Sequence, residues 1–126
     1  MLSILVVEDE LNSRYALDIF LRSRGFNVRA VGTANDALEV SRSFEPQLLI
    51  CDWILDGDMD GVQLSEKMRS RFPNLEIFFM TGFPLDQLRK RLKGFTVQMI
   101  FSKPTSLYEL KNAVDNLINN KDRAGY

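Results

Sequence analysis

Four aspartates, Asp52, Asp56, Asp58 and Asp60, fall directly after the apolar run "LLIC". Like charges at that density repel unless solvent or a cation screens them, so the stretch is a candidate metal site. Read as a calcium loop, "DGDMDG" sets Asp56, Asp58 and Asp60 at positions one, three and five, with Gly61 at six. Position twelve then falls on Lys67, where the loop needs a bidentate Glu. Glu66 is one residue early, and on a helix that turns it away from the ion by roughly 100°. The preceding segment is β-branched and aliphatic, unlike the entering helix of such a loop. The calcium reading fails on both counts. Three other places carry chemistry-bearing residues: Glu8-Asp9 after "SILVV", Thr81-Gly82 after "LEIFFM", and Lys103-Pro104 after "VQMIF". Two acids at the end of an apolar run are costly without a partner.

The chain contains no histidine. Serine–histidine and cysteine–histidine triads and histidine-based zinc sites are therefore excluded, and any chemistry runs on carboxylates. One cysteine, Cys51, rules out an intrachain disulfide and fits a reducing compartment. It reads as an inert core residue. Net charge is −1, from 16 basic and 17 acidic side chains, so no global field favours nucleic acid or anionic lipid. "RKRLK" (89–93) reads as a solvated helix face rather than a nucleic-acid patch. The N-terminus turns acidic too soon for a signal peptide, and no apolar run approaches the ~18 residues of a membrane span. A cytoplasmic protein without membrane contact is expected.

The elements that must position these residues follow from periodicity. "SILVV" (3–7) and "LLIC" (48–51) are continuous apolar runs, the mark of strands buried on both faces. "FNVRAV" (26–31) alternates and reads as a more exposed strand near an edge. "LEIFFM" (75–80) and "VQMIF" (97–101) complete five strands. Helical spacing runs from Leu11 to Arg24, with Gly25 as the stop. A capping-box pattern at Thr33 and Asp36 opens a second helix through about Ser43, before Pro46 breaks it. Further helices are expected over 61–71, over a basic stretch at 84–93, and from Leu107 through Leu117. "NNKDRAGY" is expected to fray as a polar tail. Phe26, Phe44 and Phe72 read as core.

Five β-α repeats imply a parallel sheet with helices on both faces, and ligands bind such sheets at the C-terminal ends of the strands. Glu8-Asp9, Asp52, Thr81 and Lys103 therefore converge on one edge. Three carboxylates there need a partner, and Mg²⁺ suits a few carboxylates, waters and a phosphate oxygen. Lys103 and Thr81 are suited to phosphoryl oxygens, one as a charge and one as a hydrogen-bond donor. A carboxylate can then attack phosphorus in line. Asp52, at the end of a central strand, is the best candidate for the nucleophile.

In order along the chain, "VVEDE", Asp52, "MTG" (80–82) and "SKP" (102–104) each stand at a strand end. In this the sequence resembles, over essentially its whole length, the receiver domain of two-component response regulators. The resemblance implies a doubly wound, flavodoxin-like sheet of five parallel strands in the order 2-1-3-4-5, with five helices. It implies one receiver domain over 1–120, with 121–126 a polar tail or the start of a linker, and no DNA-binding or enzymatic output domain within the chain. Asp52 would accept phosphate from a histidine kinase or phosphotransfer protein. Asp9, Asp52 and the Ile54 carbonyl would bind Mg²⁺ (or Mn²⁺), with Glu8 acting through water. Thr81 and Lys103 would contact the phosphoryl group, and the Lys103–Pro104 peptide would be cis. Ile54 and Phe83 would flank the acceptor, apolar where a hydrolytic water must be oriented. Ile100 takes the switch position that is usually aromatic, with Phe101 on the opposite face of its strand. The output face would be helix four, strand five and helix five, which also offers a route to a homodimer.

The acceptor loop departs from the family pattern. From Asp52 to Asp60-Gly61 it is one residue longer than usual, with Asp56-Gly57 in place of a proline. Asp56, Asp58 and Asp60 then read as turn chemistry, with Gly57 left-handed. Trp53 is expected beside the site and partly exposed. The alternative within this reading is a degenerate receiver, a constitutive interaction module that is never phosphorylated. The complete set Glu8, Asp9, Asp52, Thr81 and Lys103 argues against it. A haloacid-dehalogenase-type phosphatase needs Asp-x-Asp after its first strand, whereas residue 54 is Ile. A flavodoxin-like flavin binder needs a glycine- and hydroxyl-rich phosphate loop, and "EDELNS" would repel phosphate. The expected activity is a signalling switch with self-catalysed phosphoryl transfer, not a turnover enzyme.

Overall fold

The computed structural model describes residues 1–123. Residues 124–126, the end of the expected tail, lie outside the described residues. Strand and helix alternate five times: β1 (Ser3–Val7), α1 (Leu11–Ser23), β2 (Asn27–Val31), α2 (Ala34–Val40), β3 (Leu48–Asp52), α3 (Gly61–Arg71), β4 (Glu76–Thr81), α4 (Leu85–Leu92), β5 (Met99–Ser102) and α5 (Leu107–Arg123). The strands form one parallel sheet in the order β2-β1-β3-β4-β5. Periodicity led to the parallel sheet with helices on both faces, and the order is the doubly wound, flavodoxin-like one that the resemblance implies.

Strands β1, β3 and β4 lie at the centre, which is why they read as unbroken apolar runs. Alternate residues feed two cores. Leu5, Leu49, Cys51, Ile77 and Phe79 pack with α2, α3 and α4. Ile4, Val6, Leu48, Ile50 and Phe78 pack with α1 and α5. Phe44 is buried, while Phe26 and Phe72 are half-buried and pack against these clusters. The alternating, more exposed β2 is an edge strand.

Three boundaries move, each for a local reason. Helix α2 stops at Val40 rather than near Ser43, because Arg42 and Ser43 N–H groups donate three residues back, to Glu39 and Val40, in a tightening last turn. Strand β5 begins at Met99 rather than Val97, because the Gln98 side-chain oxygen accepts from Ile77 N at 2.6 Å, where a ladder carbonyl would sit. Helix α5 does not end near Leu117 but continues to Arg123, so part of the expected tail is helical. No helix among the described residues is long and apolar enough to cross a membrane.

Candidate functional site

Chain geometry alone brings the expected residues to one edge. β1, β3, β4 and β5 run parallel, and in register they deliver Glu8-Asp9, Asp52, Thr81 and Lys103 to the same end of the sheet. Glu8 N–H still donates to Val31 O at 3.0 Å, so the chain leaves the sheet only beyond it. Lys103 N–H donates to Thr81 O at 2.8 Å, which carries the β4–β5 pairing past the end of β5. The Lys103–Pro104 peptide is cis. Glu10 caps α1, its side chain accepting from Asn12 N and Ser13 N, so the loop after Glu8-Asp9 is held at both ends.

Glu8, Asp52 and Thr81 are all buried at this edge. One oxygen from each of Glu8, Asp9 and Asp52 lies within 4.8 Å of the others, a group able to hold a cation. The Lys103 ammonium bridges two of them, at 2.9 Å from Glu8 Oε1 and 2.9 Å from Asp52 Oδ1. Asp52 Oδ1 takes part in this ion pair but accepts no hydrogen bond among the described residues. The ammonium at 2.9 Å supplies its charge partner, and the carboxylate keeps further lone-pair sites for a cation. The Thr81 hydroxyl oxygen accepts from Phe83 N at 2.9 Å. Asp9, Asp52, Thr81, Phe83 and Lys103 line a cavity of about 240 Å³.

Electrostatics divides the acids. Burial, and then the hydrogen bond with Glu8, raises the Asp52 carboxyl to about 8 in spite of Lys103. Burial works against ionising Glu8 as well, but its hydrogen bonds from Asp52, Lys103 and Glu10 outweigh that and bring it to about 2. Glu8 and Asp52 therefore titrate as a pair that keeps one proton into the neutral range. Burial, the contact with Glu8 and the charge of Asp56 push Asp9 up. Burial alone would lower the Lys103 ammonium, but Asp52 and Glu8 raise it. The pocket is short of positive charge by at least one cation.

The loop aspartates separate as expected in part. Gly57 has φ +105, the left-handed conformation read from "DGD". Asp60 is the N-cap of α3 in a full capping box with Gln63. Gly61 passes so close to Asp52 that a Cβ there would collide with the Asp52 carbonyl oxygen. Two features escaped the sequence reading. Asp60 also pairs with Arg91, which donates from Nε at 3.2 Å and Nη2 at 3.3 Å, so "RKRLK" is not wholly a solvated face. Asp56 is exposed, yet its charge reaches Asp9. An ion pair between α3 and α4 leaves no signature in spacing.

An apolar rim surrounds the acids. Ile54 is 48% exposed and Phe83 50% exposed, beside a half-buried Trp53. The Trp53 and Phe83 rings meet edge to face at 5.9 Å. Burial raises the Cys51 thiol well above its usual range, in line with an inert core residue. On β5, Ile100 packs toward α3 and α4, while Phe101 packs on Phe78 toward α1 and α5. The two lie on opposite faces, as alternation requires.

Comparison with known proteins agrees with this geometry. A sequence model of the response regulator receiver domain matches residues 4–115. Response regulator protein VraR of Staphylococcus saprophyticus is 26% identical over 95% of this chain and 58% of its own length. Response regulator receiver protein CpdR of Brucella abortus is 28% identical over 94% of this chain and 98% of its own. The crystal structure of a CheY-like response regulator receiver domain protein from Methanospirillum hungatei shares the fold, with TM-score 0.88 at 20% identity over 98% of both chains. The chain spans little more than half of VraR but nearly all of CpdR. With the family's sequence model covering all five strands and the fold matched end to end, this chain belongs to the response regulator receiver domain family, signalling switches of two-component phosphorelay systems.

Proposed function

We propose that Asp52 is the phosphoacceptor of this switch. One observation carries the reading: a buried Asp52 carboxyl faces Glu8, with the Lys103 ammonium shared between them at 2.9 Å on each side. An Asp52 oxygen attacks phosphorus while the bond to the leaving group breaks opposite it, giving an aspartyl-phosphate. The donor is a histidine kinase or phosphotransfer protein. Lys103 exchanges its carboxylate contacts for a phosphoryl oxygen. Thr81 turns its hydroxyl from accepting the Phe83 N–H to donating toward phosphate. Asp9, Asp52 and the Ile54 carbonyl would hold Mg²⁺ (or Mn²⁺), with Glu8 acting through water. A bound cation would favour release of the pair's proton to solvent, leaving Asp52 ionised for attack, and would neutralise charge on the transferring oxygens.

The output passes through the face formed by α4, β5 and α5, to a downstream protein, an output domain or a second copy, in the cytoplasm. Ile100, β-branched and stiff at χ1, has no ring to swing. Movement of Thr81 and its loop therefore carries the change. The deciding experiment is mass spectrometry after incubation with acetyl phosphate and Mg²⁺. The wild type gains one phosphoryl group and Asp52→Asn gains none. An unmodified wild type would instead support the constitutive interaction module.

A further inference from the structure

Beyond its last strand residue, Val7, the first strand hands over to the Glu8-Asp9 dipeptide, whose backbone must be held without a full ladder. Its N–H side is fixed by β2, through Glu8 N to Val31 O. Its carbonyl side is held by a side chain: Arg14 of α1 donates from Nη1 to Glu8 O at 3.1 Å. The guanidinium is half-buried and lies over Gly32, the residue that follows β2. A Cβ on Gly32 would collide with Arg14 Nη1. Gly32 does not have a left-handed φ, so its lack of a side chain serves space rather than backbone conformation.

We infer that Arg14, seated on Gly32, is a positioning residue that fixes the Glu8-Asp9 peptide and so aims both carboxylates at the cation. The inference rests on the reading of Glu8 and Asp9 as metal-binding residues. Physical chemistry separates it from a mere charge effect by sign. Arg14 is a cation beside a cation site, so if its charge alone mattered, removing it would tighten metal binding. If it holds the peptide, removing it loosens the acids and weakens binding. A partner of this kind, one bond removed from the ligands, typically changes metal affinity on the order of tenfold.

The seat supplies a second, milder probe. In Gly32→Ala the new methyl displaces only the far end of a flexible side chain, so the fold survives while the guanidinium moves. Titrating Mg²⁺ against Trp53 fluorescence in the full chain, with urea stability in chelator measured in parallel, tests the assignment. Arg14→Ala and Gly32→Ala should each weaken Mg²⁺ binding on the order of tenfold. Gly32→Ala should cost nothing further in the Arg14→Ala background, where the space is empty. Tighter or unchanged binding in Arg14→Ala overturns the inference. So does a Gly32→Ala loss that is the same with and without Arg14, or a loss of stability with affinity intact. A wild type that binds no Mg²⁺, or binding equal in Asp9→Asn, would instead remove the metal reading beneath it.

Discussion

The two ends of the sheet use their polar side chains in opposite ways. At the N-terminal end of the strands lies a groove of about 770 Å³, larger than the cavity over Asp52. Three of its polar side chains are spent on backbone. Gln47 Oε1 accepts from Ser3 N, Gln98 Oε1 accepts from Ile77 N, and Arg69 donates to the Leu75 and Thr96 carbonyls. At the C-terminal end the side chains face one another instead: Glu8, Asp52 and Lys103 share charge, and one Asp52 oxygen is left without a hydrogen bond. Size does not identify the functional end. A cluster of buried, mutually perturbed charges does so for the proposed function.

The sharpest way to break this contrast is Asp52→Asn. Phosphorylation should fall from one group per chain to none. The same variant should reverse a stability cost. Because folding raises the Asp52 carboxyl from 3.8 to about 8, the folded state holds its proton where the unfolded chain has lost it. Metal-free wild type should therefore lose stability as pH rises from about 4 to about 8, by at most a few kcal/mol. Glu8 is shifted the other way, so its contribution is complete above its ordinary range and disappears as pH falls toward 2. Urea titrations in chelator between pH 4 and 9 should show the downward slope in wild type and a nearly flat profile in Asp52→Asn. A slope of equal size in both would detach Asp52 from the strain at this end.

The next test is made at the opposite end. Arg69 lies 4.6 Å over the Phe95 ring while satisfying two carbonyls, one at the start of β4 and one before β5. Arg69→Ala should cost about 2–3 kcal/mol of stability, the range for charged hydrogen bonds plus a cation–π contact. Mg²⁺ affinity and phosphorylation should be unchanged under folding conditions. If metal binding weakened in step with stability, the two ends would not be separable.

Residue types explain how much of this was legible. Continuous runs such as "SILVV" mark the strands buried on both faces, and five strands interleaved with helices leave few topologies. That pattern alone sets Glu8, Asp9, Asp52, Thr81 and Lys103 at one edge. What stayed hidden depends on side-chain reach. Arg14 and Arg91 act across six and 31 residues of sequence, on a carbonyl and a carboxylate respectively. Nothing in their own spacing marks them apart from other surface arginines. Boundaries slipped where a side chain imitates backbone, as Gln98 does before β5.

A smaller effect should come from the apolar rim. Ile54 and Phe83 stand half exposed beside the acceptor and offer no group to orient a water. Ile54→Asn and Phe83→Glu should speed phosphate release from phosphorylated protein several-fold, read as decay of the phosphorylated mass. Polar variants that decay no faster than wild type would move control of lifetime away from the rim.

The least effect is expected at Asp56, and it tests where the functional end stops. Asp56 is the acid that a calcium loop would need first, and its charge does raise Asp9. Yet it is exposed, on a loop whose turn is set by Gly57, and it lies outside the group formed by Glu8, Asp9 and Asp52. A charge felt through solvent is screened, whereas a ligand's contact is not. Asp56→Asn should therefore weaken Mg²⁺ binding by less than about threefold, some 0.6 kcal/mol, and the loss should fade in high salt. A salt-independent loss of about tenfold or more, ~1.4 kcal/mol, would mean that Asp56 touches the ion. The boundary between buried, unspent charge and solvated turn chemistry would then run through the loop one residue after Leu55 rather than at the strand end.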